Sequence, residues 1–221
     1  ISDTYTNIFS TLTNNGTITH SGSGWTTGGG FVNGSAGVVT YAGSTMTVNG
    51  TFNVSVGTFP SGLTLTLGDD AGGSSADNSV MTCGSVTFTQ VIITKNGGGG
   101  GVAGGTATIS SDCTVLLGAS PTSAFRGTST NNGTITIASG TWTEGAGGTG
   151  ANITNNGTIT HSGTGWVSNG GLVMGSSGVV SYAGPTASFG NNLYVSVGTF
   201  PSGVTMTFNT GGNNNSILTC G

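Results

Sequence analysis

Asn131-Asn132-Gly133-Thr134-Ile135-Thr136 recurs 24 positions later (155 − 131) as Asn155-Asn156-Gly157-Thr158-Ile159-Thr160. A period of about 20 to 30 residues is the length of one winding of a solenoid. Each copy joins a turn pair, Asn-Gly, to an alternating Thr-Ile-Thr run, which is the pattern of a short strand with one face inside and one outside. Stacked in register, such windings set Asn over Asn and Thr over Thr, and like side chains form ladders across parallel strands.

The same block opens a much longer repeat. Thr13-Asn14-Asn15-Gly16-Thr17-Ile18-Thr19-His20-Ser21-Gly22 returns as Thr154 through Gly163, an offset of 141 (154 − 13). The register holds through Trp25 and Trp166, through Tyr41 and Tyr182, and through Val54–Gly62 and Val195–Gly203. The copies diverge in one loop and rejoin at Thr82-Cys83-Gly84 and Thr219-Cys220-Gly221. We therefore read residues 1–221 as one continuous repetitive β unit, with copy one at about 13–153 and a partial copy two at 154–221. Because the second copy is partial, the expectation is that the parent protein continues.

Between these landmarks the chain reads strand, turn, strand. Gly37–Tyr41, Thr45–Val48, Thr51–Val56, Leu63–Leu67, Ser85–Ile93 and Thr106–Ile109 alternate apolar residues with Thr or Ser and are separated by Gly-rich turns. No window carries a helical period with caps. The fold class is all-β. A parallel β-solenoid is expected from the short internal period, with tandem antiparallel β-sandwich domains as the alternative.

Composition removes several functions. The 221 residues include 45 Gly but only two basic and six acidic side chains; an average domain is roughly a quarter charged. Lys95 and Arg126 cannot make the cationic footprint that nucleic acid or an anionic membrane requires. No apolar run is long enough to span a bilayer, and Ile1-Ser2-Asp3-Thr4 does not open like a signal peptide, so we expect a mature form or a fragment.

The low-charge, Thr- and Gly-rich repeats with Asn-Asn-Gly-Thr-Ile-Thr segments resemble the β-solenoid regions of large bacterial surface proteins, among them filamentous-haemagglutinin-like adhesins and autotransporter passengers. The resemblance implies extracellular or cell-surface display, a rod-like shape and no catalysis by the rod itself.

Candidate chemistry is sparse. His20 and His161 are repeat equivalents with no Cys, His or carboxylate beside them in metal-ligand spacing, so a structural or exposed role is expected. Ser21 and Ser23 flank His20, yet the nearest acid is Asp3, which leaves no nucleophile, base and carboxylate set. Asp69, Asp70 and Asp77 share one loop that the second copy lacks; it reads as a solvated turn before it reads as a Ca²⁺ site. Neither a catalytic residue nor a cofactor or metal site is assigned. Cys113 follows Cys83 by 30 residues (113 − 83), about one winding, which allows a disulfide between neighbouring windings in an oxidising compartment, against buried free thiols as the alternative. Cys220, the equivalent of Cys83, is left to an inter-repeat or intersubunit partner.

Asn15, Asn33, Asn49, Asn53, Asn132, Asn152, Asn156 and Asn214 head glycosylation sequons, which turn-forming composition also accounts for. Trp25, Trp142 and Trp166 offer sugar-stacking surfaces if exposed and core packing if not. Thr-x-Thr pairs raise ice binding, but they fall at irregular intervals. The expectation is a non-enzymatic structural subunit or stalk of an extracellular filament, sheath or adhesin that self-associates end to end. A glycan-, host-surface- or ice-binding module is the alternative.

Overall fold

A computed structural model describes residues 5–8, 11–48, 51–67, 79–84, 86–95, 107–117, 122–123, 129–144, 152–168, 170–190, 193–208 and 218–220. These residues hold strands and turns and no helix.

The chain winds so that three strands in succession lie on three faces. Leu12–Asn14, Thr17–His20 and Gly24–Thr27 make one winding; Phe31–Asn33, Val38–Tyr41 and Thr45–Val48 make the next, directly upon it. The first face is one 10-stranded sheet running from Leu12–Asn14 to Leu218–Cys220. Every strand pair is parallel, for example Asn131 beside Asn155 and Thr134 beside Thr158. This is a parallel β-solenoid, and it excludes the antiparallel sandwich. Parallel pairing demands a crossover between partners, and here the rest of the winding is that crossover.

Winding length varies. Register partners are 19 residues apart at Asn14 and Asn33 (33 − 14), 24 at Asn131 and Asn155 (155 − 131), and 29 at Phe52 and Met81 (81 − 52). The strands keep their register although the number of residues between them varies, so the sequence loses its period.

Two strand boundaries differ from the sequence reading. Within Thr51–Val56 only Phe52–Asn53 is strand, because Val54 to Val56 turn the corner to the next face, where Gly57–Thr58 pairs. Thr87–Lys95 serves two faces: Thr87–Thr89 pairs with Thr114–Leu116, and Ile92–Lys95 pairs with Thr64–Leu67, with a register shift between Thr89 and Val91.

Alternation puts one side chain in two inside. On the second face Phe88, Val115, Ile135, Ile159 and Val180 stack in one inward column, each no more than 1% exposed. Burying each of them contributes about 1.5–3 kcal/mol. On the third face Trp142 lies over Trp166 in register, with ring centroids 4.9 Å apart. Aromatic contacts continue through Trp166–Phe189 and Phe189–Phe208 in one copy, and through Trp25–Phe31, Phe31–Phe52 and Phe52–Phe88 in the other.

Candidate functional site

The polar side chains that could carry chemistry gather at the corners of the windings. At the first corner Asn131 ends its strand. Its Oδ1 accepts the Gly133 N–H at 3.1 Å, which closes a tight turn of the kind Asn forms with the backbone two residues on. Its Nδ2 donates to Gly133 O at 3.2 Å and to Asn155 Oδ1, one winding away, at 2.8 Å. Asn155 in turn donates to Val179 O at 3.0 Å. Asn14 and Asn33 repeat the arrangement: Asn14 Oδ1 accepts Gly16 N–H, and Asn14 Nδ2 donates to Asn33 Oδ1 at 3.1 Å. All four amides are buried. The glycine is required by closeness: a Cβ on Gly133 would lie 2.6 Å from the carbonyl oxygens of both Ser110 and Cys113 in the winding beneath.

The column then changes chemistry. Cys83 follows the strand Ser79–Thr82 at the position Asn14 and Asn33 hold in their windings, and it is bonded to Cys113 across a sequence separation of 30, with Cα atoms 4.9 Å apart. Asp112, beside Cys113, accepts the N–H groups of Cys83 at 3.0 Å and Gly84 at 2.6 Å. Gly84 has φ +55°, and a Cβ there would lie 2.6 Å from Ser55 Cα, so both its conformation and its neighbour select glycine. Sequence reading missed Asp112; a carboxylate in a Ser-Ser-Asp turn immediately before a cysteine was the available signal. The Cys220 backbone pairs with Val195, as its equivalence to Cys83 implies, while its side chain lies outside the described residues.

At the second corner His161 is buried. Its Nδ1 accepts Gly163 N–H at 2.9 Å, so its Nε2–H donates to Gly165 O at 2.8 Å and the ring is neutral. Burial holds its pKa below the usual histidine value, opposed by the bond to Gly165. Tyr182, its neighbour in register, donates to Thr186 O, and Tyr41 likewise to Thr45 O. Burial pushes the Tyr41 hydroxyl up to about 12, with a backbone hydrogen bond from Trp25 acting the other way. His20 is equally buried, stacked on Trp25 at 5.6 Å and 11° and packed against Tyr41. The two histidines sit in separate clusters, His161 with Trp142, Trp166 and Tyr182.

The three tryptophans are 0–2% exposed and present no stacking surface. Asn33 is also buried, with its amide bonded to Gly37 O and Val56 O, so glycan attachment there would break the corner. Among the sequons, Asn49 and Asn214 lie outside the described residues, as does the loop of Asp69, Asp70 and Asp77. Among the described residues no three His, Cys, Asp or Glu side chains converge.

What faces outward is threonine. On the second face Thr87, Thr114, Thr134 and Thr158 form one column in register, and Thr89, Leu116, Thr136 and Thr160 form a second. Neighbours within a column are about 4.8 Å apart and the columns about 6.6 Å apart. The third face carries Thr45 over Thr64 and Thr26, Thr47 and Thr66 in line. Pairs that looked irregular along the sequence are regular in space, because windings of unequal length return to the same register.

The chain matches no family model, no curated protein and no solved structure.

Proposed function

We propose that this chain is a structural rod element, a segment of the stalk or filament of an extracellular, adhesin-like assembly, with no catalytic step of its own. The observation that carries the reading is where the reactive side chains go. Asn131, Asn155, His161, Cys83 and Cys113 are all buried and spent on backbone or side-chain partners that close corners or join windings. A charge-poor surface of Thr, Ser and Gly serves reach and packing rather than transformation. A disulfide between windings suits an oxidising, extracellular setting.

A stack of parallel windings ends in unpaired strand edges, which template further pairing. End-to-end association is therefore expected. Light scattering and negative-stain electron microscopy across a concentration series provide the test: linear oligomers that lengthen with concentration support the reading, and dispersed monomers at every concentration reject it.

The threonine columns favour a second reading. Their uncharged hydroxyl and methyl lattice complements an uncharged lattice of similar repeat, and the surface of ice is one. Inhibition of ice recrystallisation by the intact chain, lost on Thr134→Lys/Thr158→Lys with the thermal midpoint unchanged, is the outcome this reading requires. No inhibition by the intact chain at high concentration rejects it.

A further inference from the structure

The second face carries an outward column of its own kind. Thr17, Val38 and Val56 follow one another on successive windings: Thr17 pairs with Val38, and the Val56 carbonyl accepts the N–H of Val39. Copy two repeats the trio (offset 141) as Thr158, Val179 and Val197, joined in the same way. Thr87, Thr114 and Thr134 lie between the trios in that column. Among the described residues six large apolar side chains are exposed, and four of them are these valines: Val38 at 36%, Val56 at 47%, Val179 at 39% and Val197 at 53%. Val56 is nearly as open as Val197 although the winding that contains Thr87 follows it, so the exposure belongs to the face. Isolated apolar side chains on a surface need no explanation, but two matching pairs in one column mark a contact surface. The outward positions of this face are Thr, Val, Leu116 and Ser181, with no charged side chain among the described residues, although the whole chain carries −4.

We propose that the second face is a side-to-side docking surface whose occupant is the second face of another copy of this chain. Self-complementarity identifies the partner. Five strands of the first face, from Phe52–Asn53 to Asn152–Asn155, separate the winding of Val38 from that of Val179. The valine pairs are therefore six steps apart, about 29 Å at about 4.8 Å a step. A second copy presents the same two pairs at the same spacing. When a two-fold axis, along the rod or across it, sets the copies face to face, both pairs of one copy meet valines of the other. Two uncharged faces approach without repulsion, and β-branched side chains at the strand spacing interdigitate as in dry contacts between sheets. From Thr17 to Val197 the face runs eight steps, about 38 Å, by about 13 Å of strand; two such faces cover about 1,000 Å², the lower limit of a specific interface. The contact is weak and reversible. It goes beyond end-to-end stacking, because it joins rods sideways and closes at two.

The test is sedimentation velocity on the intact chain and on charged variants whose thermal midpoints match it. Val56→Lys/Val179→Lys and Val56→Glu/Val179→Glu each set like charges against one another across the contact, whichever way the two copies run. Each should weaken self-association by about tenfold or more, since the loss of apolar burial at two valines is already of that order. An equal mixture of the two variants should restore pairing, because opposite charges then face each other. Val56→Thr/Val179→Thr keeps the column β-branched and guards against a charged variant that fails to fold; it should weaken pairing as well. Thr45→Lys/Thr64→Lys, outward on the third face, should pair like the intact chain. The proposal is overturned if the intact chain shows no sideways pairing at any concentration, if the second-face variants pair as it does, or if the mixture fails to recover. An unpaired intact chain that inhibits ice recrystallisation through this face also overturns it, with ice as the occupant. In negative stain, rods doubled in width that do not lengthen would leave this face standing and remove the filament reading. Single-width rods that lengthen with concentration would do the reverse.

Discussion

The first corner is closed in two ways. At Asn131 and Asn155 a hydrogen-bonded amide ladder joins windings whose partners are 24 residues apart. At Cys83 and Cys113 a covalent bond joins two residues 30 apart in sequence, in windings whose register partners Met81 and Ile109 are 28 apart (109 − 81). A longer winding costs more entropy to close. The amide ladder recovers a few hydrogen bonds per winding. The disulfide acts on the unfolded chain and contributes more as the loop it closes lengthens. The two devices therefore act on different states: the amide ladder adds hydrogen bonds to the native stack, and the disulfide restricts the unfolded chain.

The largest effect expected from this contrast is on the sulfur pair. Cys83→Ser/Cys113→Ser should lower unfolding stability by about 3–4 kcal/mol, the magnitude of a closed loop of that size. The check is a denaturant titration with and without dithiothreitol. The reductant should shift the intact chain to the midpoint of the double variant and leave the double variant unmoved. If both proteins respond alike, the covalent corner contributes nothing and the contrast fails.

Next in size is the amide ladder. Asn131→Ala removes the partners of Gly133 N–H and Asn155 Oδ1 in a buried corner. Leaving such groups unsatisfied costs about 2–3 kcal/mol in all. Asn155→Ala should cost a similar amount. The double variant should cost less than the two added, by about 1 kcal/mol, because both remove one shared bond. Strict additivity would mean that the 2.8 Å contact carries no energy.

These corners also mark how far the sequence could be read. The 24-residue echo was legible because Asn131 and Asn155 are register partners in adjacent windings and each opens the same six-residue block. Elsewhere the offset ranges from 19 to 29 residues, which hides the period. The Thr-x-Thr pairs looked scattered for that reason alone. Val54 shows a different obstacle. It turns the same corner as Asn14 and Asn33, but an apolar residue at a corner has no turn signature, and Thr51–Val56 reads as one strand. The repeat equivalence of His20 and His161 was visible and correctly kept them apart. Their burial was not visible, because a histidine in a Thr- and Ser-rich segment looks solvent-facing until its ring is seen against Trp25 or Trp166. Asp112 was hidden because its partners are backbone N–H groups a winding away.

The smallest effect separates a titratable corner from an amide one. His161 closes its turn as Asn131 does, accepting the N–H two residues on, but its acceptor can be protonated. Burial lowers its folded-state pKa below the unfolded value of about 6.5. Between those two values the unfolded chain binds more protons than the folded one, so stability falls as pH falls through this window. The contribution is complete above about pH 6.5 and is lost once the pH is below the folded pKa. Urea midpoints measured from pH 7.5 to 4.5 should therefore decline in the intact chain. They should decline less in His161→Gln, whose amide can accept Gly163 N–H at any pH. Asn131→Ala should lower every midpoint without changing the slope, since an amide ladder has no proton to gain. A pH slope shared unchanged by the His161→Gln variant would show that protonation elsewhere controls acid stability, and the two corners would then be energetically alike.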